Sequence, residues 1–316
     1  MRSKQLGRTG LSVSIVGIGC NNFGRRCDAA ATQAVVDAAV DAGINFFDTA
    51  DIYGPRGLSE EFLGKALKQH NRDELVVATK FAGPTGDGDG MRGASRGYIM
   101  RAVEASLRRL DTDYIDLYQQ HMPDQTTPAD ETLMALDDLV RAGKVRYLGN
   151  SNYSGWQIAH ADWTARTEHL NRFASAQNLW SLLDRRVEQE VIPACAEFGL
   201  GMLPYFPLAS GLLTGKYQRG EPPPQGTRLE AWGERGAAAL SDANFDVVNK
   251  LAAFAEARGH TLLELAMSWL ACQPTVSSVI AGATSPEQVA ANAAAGQWQL
   301  TDDELAKAGE AAGGRG

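Results

Sequence analysis

The sequence predicts an α/β fold, a closed (β/α)8 TIM barrel with eight parallel strands, a short N-terminal β-hairpin and long loops at its C-terminal face. Three observations carry that expectation. Eight short apolar runs alternate in strict order with longer stretches of helical periodicity. Connections of about ten residues or more between strands imply parallel pairing with right-handed crossovers, and eight repeats of that unit suffice to close a barrel. An open doubly wound sheet for nucleotides normally carries Gly-x-Gly-x-x-Gly after its first strand. Here Gly17-x-Gly19-x-x-Asn22 lacks the third glycine.

Taken in order, the opening pieces around Gly7-Arg8-Thr9-Gly10 and Val13 predict a small hairpin leading into a first barrel strand at 15–18. A helix over 30–42 places Val35, Val36, Ala39 and Val40 at helical spacing and stops at Gly43. Strand two spans 44–47 and is followed by a helix over 59–68. Strand three spans 75–79, followed by a helix over 95–110 with Ile99, Val103, Leu107 and Leu110 on one face. Strands at 114–118, 145–148, 173–176 and 202–205 precede helices over 130–142, 154–165, 187–198 and 262–270. The last strand, 276–280, leads to a helix over 286–295 with Pro286 in its first turn.

A length of 316 residues accommodates one large barrel or two ordinary domains; the unbroken alternation favours a single domain over 1–316. With 44% hydrophobic and 22% charged residues the composition is that of a soluble globular protein. A formal net charge of −8 argues against nucleic acid or an anionic membrane as partner. The first residues have no apolar signal core, and no run approaches the length of a membrane span, so a cytoplasmic location is expected. Cys20, Cys27, Cys195 and Cys272 lie far apart without a Cys-x-x-Cys pair and read as structural thiols of a reducing compartment. Without secretion, the glycosylation-like triplet Asn152-Tyr153-Ser154 has no meaning.

Two segments interrupt the alternation. The glycine-rich stretch 82–93 follows strand three, and a long insertion over 210–242 with Pro222-Pro223-Pro224 follows strand seven. Both follow strand C-termini, the face where barrels keep their active sites, and both are expected to cover the mouth. Within the first, Asp87-Gly88-Asp89 has no further ligands at suitable spacing and reads as a solvated turn; no metal site is expected. Gly211-Leu212-Leu213-Thr214-Gly215-Lys216 has too few residues between its glycines, and Tyr217 follows its lysine, so it is not a triphosphate-binding loop.

The strand ends carry the chemical information. Successive strands run into Gly19-Cys20-Asn21-Asn22, Asp48 with Tyr53 five residues on, Lys80, Gln119-Gln120-His121, Asn150-Ser151-Asn152, Gln177-Asn178, Tyr205 and Gly282-Ala283-Thr284-Ser285. In a barrel these positions converge on one mouth, where buried polar groups are costly unless partnered. Singly, Lys80 reads as a surface residue and His121 as a loop histidine; together they read as a site. A tyrosine serves as an acid near neutrality only beside a cation, and Lys80, oriented by Asp48, is the candidate.

At these residues the chain resembles the aldo-keto reductase family over essentially its whole length. Phe47-Asp48-Thr49-Ala50-Asp51-Ile52-Tyr53-Gly54 is similar to the signature after the second strand, and the stretch from Ser106 to His121 to the longer helix–strand signature. Gly149-Asn150-Ser151-Asn152-Tyr153, Pro204-Tyr205-Phe206-Pro207-Leu208 with the stretch Gly211 to Lys216, and Ile280 to Gln288 match later motifs in order. The resemblance implies a reductase of aldehydes or ketones that uses a nicotinamide cofactor without a Rossmann fold. Its catalytic tetrad falls on Asp48, Tyr53, Lys80 and His121: Tyr53 protonates the carbonyl oxygen, Lys80 lowers the phenol pKa, and His121 orients the substrate. Cofactor contacts fall on Gly19, Ser151, Asn152, Gln177, Tyr205, Pro207, Leu208, Gly211, Lys216, Gly282, Thr284, Ser285, Gln288 and Asn292. Substrate contacts fall on Asn22, Phe23, Met91 and Phe206.

NADPH is the expected cofactor, with NADH possible, because Gly282 and Gln288 stand where many NADPH-preferring relatives carry Lys or Arg. The expected partner is a small-molecule carbonyl substrate. Some relatives on this scaffold are subunits of membrane channels, so a cofactor-sensing regulatory subunit with little turnover is the alternative. A barrel lyase or isomerase is a third possibility, and predicts no nicotinamide binding.

Overall fold

The computed structural model describes residues 1–313 except Asp87 and Asp89, so both acids of the Asp87-Gly88-Asp89 turn lie outside the described residues. The chain opens with an antiparallel hairpin, β1 (Ser3–Gln5) and β2 (Ser12–Ser14), in which Lys4 faces Val13. Then come β3 (Val16–Gly19), α1 (Ala29–Asp41), β4 (Phe46–Asp48), α2 (Leu58–Leu67), β5 (Val76–Phe81) and α3 (Arg96–Leu110). The series continues with β6 (Ile115–Gln120), α4 (Ala129–Arg141), β7 (Val145–Ser151), α5 (Gly155–Thr167), β8 (Phe173–Gln177), α6 (Val191–Phe198) and β9 (Gly201–Met202). The insertion contributes α7 (Arg228–Ala231) and α8 (Glu234–Ala239), and α9 (Asp242–Glu256) follows it. The chain ends with α10 (Leu262–Ala271), β10 (Val279–Gly282), α11 (Pro286–Ala295) and α12 (Asp302–Ala311).

β3 to β10 form one eight-stranded sheet in which every pairing is parallel. It closes on itself through the parallel bridges Met202↔Val276 and Tyr205↔Ile280. These bridges also account for the seventh and eighth strands departing from their expected spans. Past Met202 the seventh strand continues as single bonds, Leu203 N donating to Ala176 O and Tyr205 N to Asn178 O, while Pro204, which has no N–H, only accepts Ile280 N on the other edge. Ser277 N is drawn across to Met202 O, and regular pairing with β3 starts only at Val279.

The barrel interior is a small apolar set: Phe46, Val76, Ala78, Leu117, Ala174, Leu203 and Ile280, stoppered from below by Leu6 and Val13 of the hairpin. The hairpin is tied down by cations on helix C-terminal carbonyls, where the helix dipole favours positive charge. Lys4 Nζ donates to the carbonyls of Ala271, Gln273 and Val276 at 2.9, 3.1 and 3.0 Å, and Arg8 Nη1 donates to Phe198 O at 2.7 Å. A larger apolar layer between strands and helices forms the main core. The helices pack closely: at Gly64 of α2 an added Cβ stands 2.3 Å from Leu110 O, so only glycine lets α2 approach α3 this way. With the bottom plugged and the sides wrapped, the strand C-termini are left as the open face.

Candidate active site

β4 ends in Asp48 and β5 runs through Lys80, both almost wholly buried, at 2% and 0% exposure. Register decides their meeting, since Asp48 pairs with Ala78, two residues before Lys80 on the same strand. Lys80 Nζ donates to Asp48 Oδ2 at 2.5 Å and to Thr49 O at 2.9 Å. The other carboxylate oxygen of Asp48 accepts Gln119 Nε2 at 3.0 Å and Gln177 Nε2 at 2.9 Å. A buried ammonium and carboxylate thus have their partners supplied by neighbouring strands, the condition under which such a pair persists. Burial pushes Lys80 toward the neutral amine, but the Asp48 carboxylate and the Tyr53 phenol outweigh it and raise its pKa, so the ammonium is held charged.

Above the ammonium stands Tyr53, its ring centroid 5.0 Å from Lys80 Nζ and meeting the His121 ring edge-on at 5.6 Å. The short loop after β4 delivers it, fastened by Tyr53 N donating to Ala50 O and Ser59 N donating to Tyr53 O. The direction of its titration departs from expectation. Burial raises the Tyr53 pKa; Lys80 lowers it, but does not overcome burial together with the Asp48 charge. The phenol therefore rests protonated. His121 is driven down to about 3, first by burial and then by Lys80, so its imidazole is neutral over ordinary pH.

Tyr53, His121 and Asp48 line a cavity of about 730 Å³ at the strand C-termini. Its walls also hold Gly19, Asn22, Ser151, Asn152, Gln177, Tyr205, Phe206, Pro207, Leu208, Gly211, Lys216, Gly282, Thr284, Gln288 and Asn292. Lys80 sits behind it. Ser285 caps α11 from outside the lining, its hydroxyl accepting Gln288 N at 3.4 Å. Phe23 is packed in the core at 0% exposure, and Met91 lines a different cavity. Asn152 bridges two walls: its Nδ2 donates to His121 O at 2.9 Å and its Oδ1 accepts the Tyr205 hydroxyl at 2.8 Å. Gln177, expected among the cofactor contacts, commits its amide donor to Asp48.

Of the two segments expected to cover the mouth, only the one after β9 borders this cavity among the described residues. Its course depends on Gly211, whose φ of +98° is a backbone conformation that residues with a side chain rarely adopt. The segment returns through Gln225 to Arg228, where Arg26, from the loop after β3, donates to Gly226 O at 2.5 Å. Arg26, Lys216 and Arg228 all line the cavity. Burial lowers Lys216, and Arg26 and Arg228 lower it further; Arg228 is lowered by burial and then by Arg26. Sequence reasoning missed Arg26, Arg228 and the role of Gln119. Gln119 was visible in the strand-end series, but nothing local marks Arg228.

Among the described residues no group of His, Cys, Asp or Glu side chains is placed to hold a metal ion, and no helix is long and apolar enough to cross a membrane. The four cysteines are free thiols.

Fold and cavity together define a (β/α)8 barrel protein with a buried ion pair under a long polar groove. Within that class the chain belongs to the Aldo/keto reductase family of oxidoreductases, whose model matches residues 15–312. It is 39% identical over 298 residues to a probable voltage-gated potassium channel subunit beta of Oryza sativa, covering 92% of this chain and 90% of that one. It is 35% identical to a probable aldo-keto reductase of Glycine max, covering 98% and 90%. An L-glyceraldehyde 3-phosphate reductase of Escherichia coli is 32% identical over 97% of this chain and 91% of its own.

Proposed function

We propose that the protein reduces an aldehyde or ketone to an alcohol with NADPH, and that Tyr53 is the proton donor. The observation that carries the reading is the buried Lys80–Asp48 pair at 2.5 Å directly beneath a protonated phenol that opens into the cavity. NADPH, when bound, supplies the hydride. The chain's own part is to place the carbonyl oxygen against the Tyr53 hydroxyl and deliver that proton as oxygen charge develops. Burial keeps the proton on the phenol until it is needed, and the Lys80 ammonium stabilises the phenolate left behind. A neutral His121 cannot be an imidazolium acid, so its role is to position the carbonyl by hydrogen bond.

The groove fits the cofactor by its donor set. Arg26, Lys216 and Arg228 repel one another along one wall, which favours a polyanion. Pro207, Leu208, Gly211 and Lys216 would hold the diphosphate, and Gly282, Thr284, Ser285, Gln288 and Asn292 the adenosine end. Ser151, Asn152, Gln177 and Tyr205 would hold the nicotinamide end. Arg26 and Arg228 supply the positive charge that Gly282 and Gln288 lack, supporting NADPH over NADH.

The test is Tyr53→Phe, assayed for NADPH binding by fluorescence and for NADPH oxidation with 4-nitrobenzaldehyde. The variant binds NADPH as the wild type does and loses turnover by about 10²-fold or more. Turnover equal to wild type removes Tyr53 from its role. The similarity to a channel subunit beta favours one second reading, a cofactor-sensing regulatory subunit. It requires wild-type protein to bind NADPH tightly yet turn over no member of a broad carbonyl panel.

A further inference from the structure

A second cavity, of about 660 Å³, lies on the other side of the loop that carries Tyr53. The two cavities share no lining residue: Tyr53 borders the first, while its chain neighbours Ile52 and Gly54 border the second. The loop is thus a common wall one residue thick. Across from it stands one face of α3, where Arg101 and Arg108 are seven residues apart and so project from the same side of the helix. Arg56 of the Tyr53 loop and Arg109 complete a set of four guanidinium groups at this cavity.

Among the described residues these charges are only partly balanced. Arg109 is paired with the buried Glu60 at 2.6 Å. Among the described residues Arg56, Arg101 and Arg108 have no carboxylate partner; Arg101 spends one N–H on Gly90 O at 2.9 Å. Among the described residues that line the cavity the acidic one is Asp51, and its carboxyl accepts the Tyr98 hydroxyl at 3.2 Å. Burial first, and then the neighbouring Glu60 charge, raise Asp51 to about 7, so near neutrality it offers the arginines at most a partial counter-charge. Arg56, Arg101 and Arg108 are exposed around this concave surface, so an anion seated between them would be attracted by all three. Guanidinium forks match the oxygens of a phosphoryl group two at a time.

We propose that this second cavity is an oxyanion site that takes inorganic phosphate or a phosphomonoester on Arg56, Arg101 and Arg108, with the Tyr53 loop as its wall. The assignment is independent of the proposed reaction, since it uses none of the groove residues. An anion seated here contacts the segment that aims the phenol, so occupancy is read out at the reaction centre through Arg56.

The experiment is calorimetric titration of the full chain with inorganic phosphate and, separately, with glycerol 3-phosphate. Each is run with and without saturating NADPH, which separates this site from the cations of the groove. One-to-one binding that persists with NADPH and weakens about tenfold or more in Arg101→Gln or Arg108→Gln is expected. Both positions are exposed on a helix, and an unchanged circular dichroism spectrum shows the variants folded. Tighter binding of the ester assigns the site to phosphorylated metabolites; equal or tighter binding of phosphate assigns it to the free ion. The proposal is overturned by the lack of saturable binding, by binding that both variants leave unchanged, or by binding that NADPH abolishes.

Discussion

Asp51 and His121 flank Tyr53 from opposite directions and titrate in opposite senses. Asp51 moves up from 3.8 to about 7, because burial and the Glu60 charge disfavour its anion; Tyr98 and Arg109 pull the other way without prevailing. Tyr118, buried on β6, feels the same carboxyl. The native state therefore holds the Asp51 proton over a range where the unfolded chain has lost it, and stability falls as pH rises from about 4 to about 7. His121 moves down from 6.5 to about 3, so the unfolded chain takes up its proton first and stability falls as pH drops from about 6.5 to about 3. Between about 4 and 6.5 the two slopes oppose each other. Asp51→Asn removes one of them: urea midpoints of this variant rise with pH across that window, whereas the wild type is nearly flat. At pH 8 the variant is the more stable by a few kcal/mol, since its amide has no charge to bury. A variant whose pH dependence matches the wild type refutes the Asp51 assignment. Which carboxyl behaves this way was hidden in Asp48-Thr49-Ala50-Asp51, because both acids look alike until one receives an ammonium and the other a phenol and a carboxylate neighbour.

The helices α2 and α3 are joined by more than apolar contact. Glu60, at 0% exposure, accepts Arg109 Nε at 2.6 Å and the Thr79 hydroxyl at 2.5 Å, which links both helices to β5 one residue before Lys80. Arg109→Met leaves a carboxylate buried without its cation and costs about 3–5 kcal/mol in urea unfolding. Adding Glu60→Gln recovers more than half of that loss; no recovery locates the damage in Arg109 packing. Helix and strand positions were largely legible in the sequence, since the apolar periodicity that buries one face is local. α11 begins and ends where the pattern placed it, at Pro286 and Ala295. The stretch 82–93 was expected over the mouth; residues 84, 85, 90 and 91 instead face α3. Glycine content announces a loop but carries no direction. α9 went unread because it lies between the insertion and the helix expected over 262–270, outside the repeating alternation, although the Ser241 hydroxyl caps it by accepting Asn244 N.

At the scale of the whole molecule, the groove brings the loop after β3 together with the insertion and α11, and Arg26 and Gly226, which meet there, are 200 residues apart in the chain. A ligand that spans them stabilises the barrel by mass action, about 2.7 kcal/mol at a hundredfold excess over Kd. Thermal unfolding is accordingly expected to shift upward by several degrees with NADPH and by less with NADH. Arg228→Gln and Lys216→Gln narrow the difference between the two cofactors; equal shifts in wild type, or a difference that neither variant touches, sink the assignment of those cations. By itself the sequence determined the barrel, the family and the identity of the polar residues at each strand end, because all three are written in local spacing and residue type. Only the tertiary structure decided that the Tyr53 phenol rests protonated, that Gln177 serves Asp48, that Arg26 and Arg228 meet Lys216, and that an arginine-lined cavity backs the Tyr53 loop. Those are properties of desolvation and of distance between remote segments, and neither is expressed in any single stretch of chain.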